Sequence, residues 1–254
     1  MLFSPNNQFY TRLFSSFFLG LSLITTSLAL AEYNPPPKPD SPSCTDTEKT
    51  GCTRGTGRRG GSCSSNSQTQ LTILAPYSHV GQTVSTSPTV AWFIPESESF
   101  PLEFSLYEYE GDNKRRILFQ ELNSSPGIMK LSLPNLSVGK RYLWQVVLLC
   151  NPNRPSGALV DRGEIDVVAT PSTLTSRLAT INDPVAKGNL YAEFGLWYDA
   201  FGIALEIADN LKSPDLQLSL LETLSRLEGA SNLEYVKEQS VRIQQIIEEK
   251  RQSN

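Results

Sequence analysis

Chemistry in this chain of 254 residues would have to run through very few side chains. His79 is the one histidine, set in Tyr77-Ser78-His79-Val80. A Ser–His–Asp arrangement therefore has a single candidate base, and no G-x-S-x-G elbow surrounds any serine. The expectation is a loop histidine without a catalytic role. The four cysteines are Cys44, Cys52, Cys63 and Cys150, and with one histidine they make no zinc constellation; Asp46, Asp112, Asp161 and Asp166 do not fall at calcium-loop spacing. No catalytic residue, metal or cofactor is expected. Gly55, Gly57 and Gly60 spell G-x-G-x-x-G, but that fingerprint needs a strand before it and a helix after it to aim backbone N–H groups at a pyrophosphate. The flanks offer neither. Asp161, Glu164 and Asp166 share one strand and read as a solvated face. The paired carboxylates of a glycosidase meet in space and leave no spacing in sequence, so weak hydrolase chemistry stays open.

The address is more legible than the chemistry. An apolar run from Leu13 to Leu30 follows Arg12 and ends in Ala29-Leu30-Ala31, the small-residue pattern of a cleavage site, so residues 1–31 read as a signal peptide. A membrane anchor is the competing reading, but serines and threonines dilute the run and no second apolar span follows. Cleavage removes Arg12 and no acid, leaving 21 basic against 26 acidic residues, a net charge of −5. That balance lacks the basic excess of a nucleic-acid binder. Export to the periplasm or beyond places four cysteines where they oxidise, giving two disulfides among three pairings. Residues 32–68 carry Pro35-Pro36-Pro37, Pro39 and Pro42 and then a Ser, Thr and Gly tract, and read as a disordered linker.

The elements come next. In Leu136–Cys150 both faces are apolar, as in a central strand covered on both sides. About seven short strand candidates lie between Leu71 and Ala169, the count of a β-sandwich over 69–170. Leu136, Gly139 and Tyr142 keep the spacing of a tyrosine corner, in which the phenol bonds backbone just upstream. Tyr107 and Tyr109 point outward from their strand. Cys150 ends the central strand and Cys63 precedes the first, so the expected bridge is Cys63–Cys150, with Cys44–Cys52 left to close a short loop. After Thr170 the period changes. Asp183-Pro184 and Ser213-Pro214 open helices, Trp197, Phe201, Ala204, Leu205 and Ala208 form one apolar stripe, and Gly229 stops a helix. The expected fold is α+β: an immunoglobulin- or fibronectin-like antiparallel β-sandwich followed by a small α-helical domain over 171–254.

Two resemblances sharpen this. Tyr191, Gly195, Trp197 and Ala200 keep the order of a tetratricopeptide repeat, so Asn189–Pro214 resembles one such hairpin, with no second full copy. Arg59-Gly60-Gly61-Ser62-Cys63, Ser87-Pro88-Thr89, Trp92-Phe93, Tyr142-Leu143-Trp144 up to Cys150, and Gly195-Leu196-Trp197-Tyr198-Asp199-Ala200 resemble a largely cyanobacterial secreted family known as domain of unknown function 928. That resemblance spans about residues 59–228, leaves Cys44 and Cys52 outside, and implies location and architecture with no activity. The functional expectation is a secreted or envelope-associated, non-enzymatic adaptor that binds an envelope or secreted protein through Tyr191 and Tyr198 on its helical part. The alternative is a carbohydrate- or surface-binding sandwich, with Tyr107 and Tyr109 stacking on sugar rings.

Overall fold

The computed structural model describes residues 32–36, 63, 70–95, 97–151, 153, 155–211 and 215–252. The expected signal peptide, most of the expected linker, Cys44, Cys52, the glycine fingerprint and Ser213-Pro214 lie outside the described residues. Among those described, eight strands run β1 (Thr72–Ile73), β2 (Gly81–Thr83), β3 (Thr89–Ile94), β4 (Pro101–Glu110), β5 (Asn113–Asn123), β6 (Gly127–Ser132), β7 (Arg141–Leu148) and β8 (Leu159–Val167). Five α-helices follow: α1 (Ser172–Leu178), α2 (Pro184–Glu193), α3 (Trp197–Leu211), α4 (Asp215–Gly229) and α5 (Glu234–Gln252). The fold is α+β, with the strands in the first part and the helices in the second.

Three strands form one sheet in the order β1-β3-β6, and five form another in the order β2-β8-β7-β4-β5. The doubly apolar β7 sits in the middle of the larger sheet, where both its edges are paired. β4 and β5 are joined through Gly111 and Asp112, and Gly111 takes a φ of 61°, the left-handed conformation that a two-residue hairpin turn requires. Pairing is antiparallel except for β2, which runs parallel to β8. β2 was not expected from sequence: its three residues, Gly-Gln-Thr, carry no apolar alternation. The two sheets meet through Trp92 of β3 against Phe104 of β4 and Trp144 of β7, with ring centroids 5.9 and 6.4 Å from Trp92. Trp144 lies over Gly163 of β8, where an added Cβ would stand 2.7 Å from the indole. Tyr142 is buried, and its hydroxyl accepts the Ser137 N–H at 2.9 Å, so the phenol does bond backbone just upstream, as an acceptor.

The start of α2 has a local cause. Asp183 accepts the Ala186 N–H at 2.7 Å and Pro184 takes the first helical position, which opens α2. The apolar stripe of α3 then packs against β2 and β3, and α5 meets β1. One buried cluster runs through both parts: Ile73, Trp92, Phe104 and Trp144 from the sheets, Trp197, Phe201, Leu220 and Ile246 from the helices. The expected sandwich and helical regions therefore share a core. The linker reading is corrected at its first residues, because Tyr33 is 1 % exposed within that cluster. A sequence rich in proline and poor in apolar residues hid one aromatic side chain with a place to go. Cys63 and Cys150 are joined in a disulfide 87 positions apart, worth about 4.5 kcal/mol in the chain-entropy account of loop closure.

Candidate functional site

Two groups of polar side chains could do something, and they differ in kind. The first is a buried seam where the 73–79 segment and β8 meet α4 and α5. Glu228 is fully buried; its Oε1 accepts the N–H groups of Tyr77 and Ser78 at 3.0 and 3.1 Å and the Ser78 hydroxyl at 2.9 Å. Ser78 Oγ is also 3.0 Å from His79 Nδ1, and the Tyr33 hydroxyl is 2.7 Å from His79 Nε2. Since Ser78 donates its proton to Glu228, its oxygen is the acceptor toward Nδ1, and the Tyr33 hydroxyl is shared between Nε2 and the Gly195 carbonyl 3.5 Å away. That polarity is the reverse of nucleophilic activation, in which the imidazole must take the serine proton. Burial pushes the Glu228 carboxyl up, against the opposing pull of the Ser78 and Tyr77 N–H groups and the Ser78 hydroxyl.

Beside this network Asp161 and Arg242 form a buried pair at 3.4 Å. Asp161 also accepts the Ile73 N–H at 3.1 Å and the hydroxyl of Tyr77. The guanidinium of Arg242 lies over the Tyr77 ring at 5.8 Å, and Gln239 donates to the Ile73 carbonyl at 2.8 Å. The reading of Asp161 as part of a solvated acidic face is corrected. Odd-numbered positions of β8 face inward, so Asp161 is inside while Glu164 and Asp166 are outside. A further linkage of this kind joins α3 to β2: Asp199 accepts the Val84 N–H at 3.0 Å, and burial raises its carboxyl to about 6 against hydrogen bonds from Val84, Thr83 and Ser85.

The second group stands on the outer face of the five-stranded sheet. There Tyr107, Gln145, Val147, Arg162 and Glu164 remain half-exposed. A shallow cleft of about 210 Å³ is lined by Tyr107, Lys114, Leu143, Gln145 and Arg162. The register explains the grouping: Tyr107 pairs with Leu143, Leu143 with Glu164, and Gln145 with Arg162. Arg162 Nε donates to Gln145 Oε1 at 2.6 Å, which fixes the guanidinium along the cleft floor. Tyr109 donates to Glu164 and carries the Lys114 ammonium 5.0 Å above its ring. On the rim Arg116 lies 4.9 Å from the ring of Phe119, which is 41 % exposed. The result is an aromatic and cationic platform on a protein of net negative charge. Phe119 and Arg162 were missed in sequence; Arg162 faces outward by the alternation along β8, and Phe119 through its pairing with Ser105.

The residues expected to meet a partner fare differently. Tyr198 is 2 % exposed. Its hydroxyl accepts the Trp144 indole N–H at 3.0 Å and donates to the Glu164 carbonyl at 2.8 Å, and burial pushes its pKa up. The expectation that it stands clear of intramolecular packing is corrected: α3 docks so that the ring comes down on Gly81 of β2. Tyr191 is half-buried and packs against both hydrophobic clusters. Among the described residues, no group of three or more His, Cys, Asp or Glu side chains could hold a metal ion, and no helix is long and apolar enough to cross a membrane.

These features define an α+β protein whose buried seam is extensively hydrogen-bonded, though Glu228 Oε2, Gln239 Oε1 and Arg242 Nη2 lack partners there, and whose larger sheet keeps a half-exposed outer face among the described residues. The chain belongs to the family described as Domain of Unknown Function (DUF928), which it matches over residues 51–239, 189 of its 254 residues. The match takes in Cys52, which the motif resemblance had left outside. No curated protein matches the chain. Among solved structures, the sensor domain of the anti-sigma factor RsgI4 from Pseudobacteroides cellulosolvens is similar to part of it, with a TM-score of 0.26 and 11 % identity over 42 % of this chain and all of that one. At that TM-score the likeness bears on neither fold type nor function.

Proposed function

We propose that the protein is an exported, non-enzymatic recognition protein of the periplasm or secreted space, and that it binds surface glycans with the outer face of its five-stranded sheet. The observation that carries this reading is the cleft at Tyr107, where an aromatic ring, the Gln145 amide and two cations, Lys114 and Arg162, line one concavity. A phenol ring stacks on the apolar face of a sugar, amides bond its hydroxyls, and a guanidinium pairs with a carboxylate in a fixed fork. Uronate-bearing glycans suit that set. Export is supported by the sequence pattern of residues 1–31 and by the Cys63–Cys150 bridge, which persists in oxidising compartments. The non-enzymatic reading is supported by the direction of the Ser78–His79 hydrogen bond. On the same footing we read the strands as an immunoglobulin- or fibronectin-like sandwich, the α2–α3 pair as a single tetratricopeptide-like hairpin, and the family as largely cyanobacterial.

Calorimetric titration with a polyuronate and with a neutral glucan tests the proposal. Binding of the polyuronate, weakened about tenfold or more by Tyr107→Ala and by Arg162→Ala with unchanged melting temperature, is the expected outcome. Absence of binding to either polymer, with both variants indistinguishable from the parent, overturns it and returns the function to protein partners. Affinity capture from the envelope would then identify them.

A further inference from the structure

Residues 32–36 follow directly on the cleavage site expected after Ala31, and they lie across the turn between α2 and α3. Tyr33 inserts its ring edge-on against Trp197 at 5.1 Å and reaches His79 Nε2 with its hydroxyl at 2.7 Å. Asn34 reads the end of α2 twice: its backbone N–H donates to the Ala192 carbonyl at 3.0 Å and its side-chain amide to the Glu193 carbonyl at 3.4 Å. Carbonyls at a helix C-terminus lack partners within the helix, so an extended segment that brings donors there is recognised through main chain as well as side chain. Gly195 makes room for it. Its φ is 74°, and an added Cβ would come within 2.7 Å of the Asn34 carbonyl oxygen and 3.2 Å of the Pro36 nitrogen. Pro35 and Pro36 keep the segment extended, which lowers the entropy lost on docking.

We infer that the α2–α3 turn, with the 77–79 segment, is a peptide-binding groove whose resident ligand is the chain's own Glu32–Pro36. The groove takes an extended segment in which an aromatic residue precedes Asn and Pro. It opens to another segment of that pattern only when its own is displaced. Every recognition element is local to five residues: one ring, one main-chain donor, one amide and a proline pair. Among the described residues the segment's one charged contact, Glu32 with Arg226 at 2.5 Å, is solvent-exposed on both sides and adds little. The helical part is thus a recognition surface, occupied in cis, with Tyr33 as the inserted aromatic. This is independent of the glycan reading, which concerns the opposite part of the molecule's chemistry.

The test uses the whole chain and a fluorescent synthetic peptide of sequence Glu-Tyr-Asn-Pro-Pro. The parent, whose groove is filled, should bind the peptide about tenfold or more weakly than the Tyr33→Ala variant, because apparent affinity scales with the fraction of open groove. Adding Gly195→Asn to Tyr33→Ala should abolish binding. Asparagine tolerates the left-handed backbone there, while its Cβ occupies the path of the segment. A peptide with alanine in place of tyrosine should not bind any form. Failure of Tyr33→Ala to bind the peptide, equal binding by parent and Tyr33→Ala, or equal binding by Tyr33→Ala and the double variant would each overturn the inference. Loss of cooperative unfolding in Tyr33→Ala would do so too, since Tyr33 would then be part of an indivisible core.

Discussion

Asp161 and Arg162 are consecutive residues of β8, and they belong to two regions that treat charge in opposite ways. Asp161 points into the seam, where it accepts hydrogen bonds from the Ile73 N–H, the Tyr77 hydroxyl and the Arg242 guanidinium and is 6 % exposed. Arg162 points out into a shallow cleft beside Lys114 and Tyr107. Residue types that suggest chemistry, Ser78, His79, Glu228, Asp161 and Arg242, are concentrated in the seam, where they hold helices to sheets. On the outer face, Arg162 and Phe119 drew no attention by type, and a shallow cleft lies there among the described residues. In this protein, burial and hydrogen-bond partners separate the polar groups that hold the fold together from those that stay half-exposed better than residue type does.

The comparison breaks or sharpens first at Asp161. Removing it leaves Arg242 buried without a counter-charge, so Asp161→Ala should cost about 3–5 kcal/mol in urea denaturation; a loss below about 1 kcal/mol would mean the seam is wet and the contrast false. Second in size is the pH dependence of the α3–β2 linkage. Asp199 has its carboxyl raised from 3.8 to about 6 by burial. A raised carboxyl favours the fold while protonated, so its contribution is fully present below pH 3.8 and is lost as pH rises through about 6. The difference is about 3 kcal/mol. Glu228 acts in the same direction. Asp199→Asn should flatten that part of the stability–pH profile, measured as denaturation midpoints for parent and variant between pH 3 and pH 8.

A smaller effect distinguishes core from interface at Tyr198. Tyr198→Phe keeps the ring and strands the Trp144 indole N–H, which should cost about 1–3 kcal/mol. A parent-like melting curve would return this tyrosine to the list of available groups. Smallest of all is Arg162→Ala, whose half-exposed side chain should change stability by no more than about 0.5 kcal/mol. A large destabilisation there would make the cleft structural and erase the difference between the two regions.

Much of the architecture was legible because its signals are local. Apolar alternation marks β3, β4, β6, β7 and β8, the change of period after Thr170 falls between the end of β8 and the start of α1, and Asp183-Pro184 opens α2 where a cap and a preset φ coincide. The outward direction of Tyr107 follows from the same alternation, whereas Asp161, three positions before Glu164, was read with it as one solvated face and lies on the inner side. The pairing of Cys63 with Cys150 rested on their places at the ends of the strand region.

What only the tertiary structure decided are relations between segments far apart in the chain. Tyr33 and Trp197, Ser78 and Glu228, and Tyr198 and Trp144 meet because α3 packs on β2 and β3 and the 77–79 segment packs on α4. No periodicity encodes which helix face is covered by a sheet edge, so Tyr198 looked available and is core. β2 is too short to have a pattern and exists because β8 offers it an edge. The cleft at Tyr107 depends on side chains from three adjacent strands and β5, brought level by register. The amino-acid pattern by itself determines where strands and helices begin, and which way alternate side chains point, because backbone geometry has a fixed period. Which polar groups are consumed and which stay open is decided by burial, a property that exists only once the elements have packed.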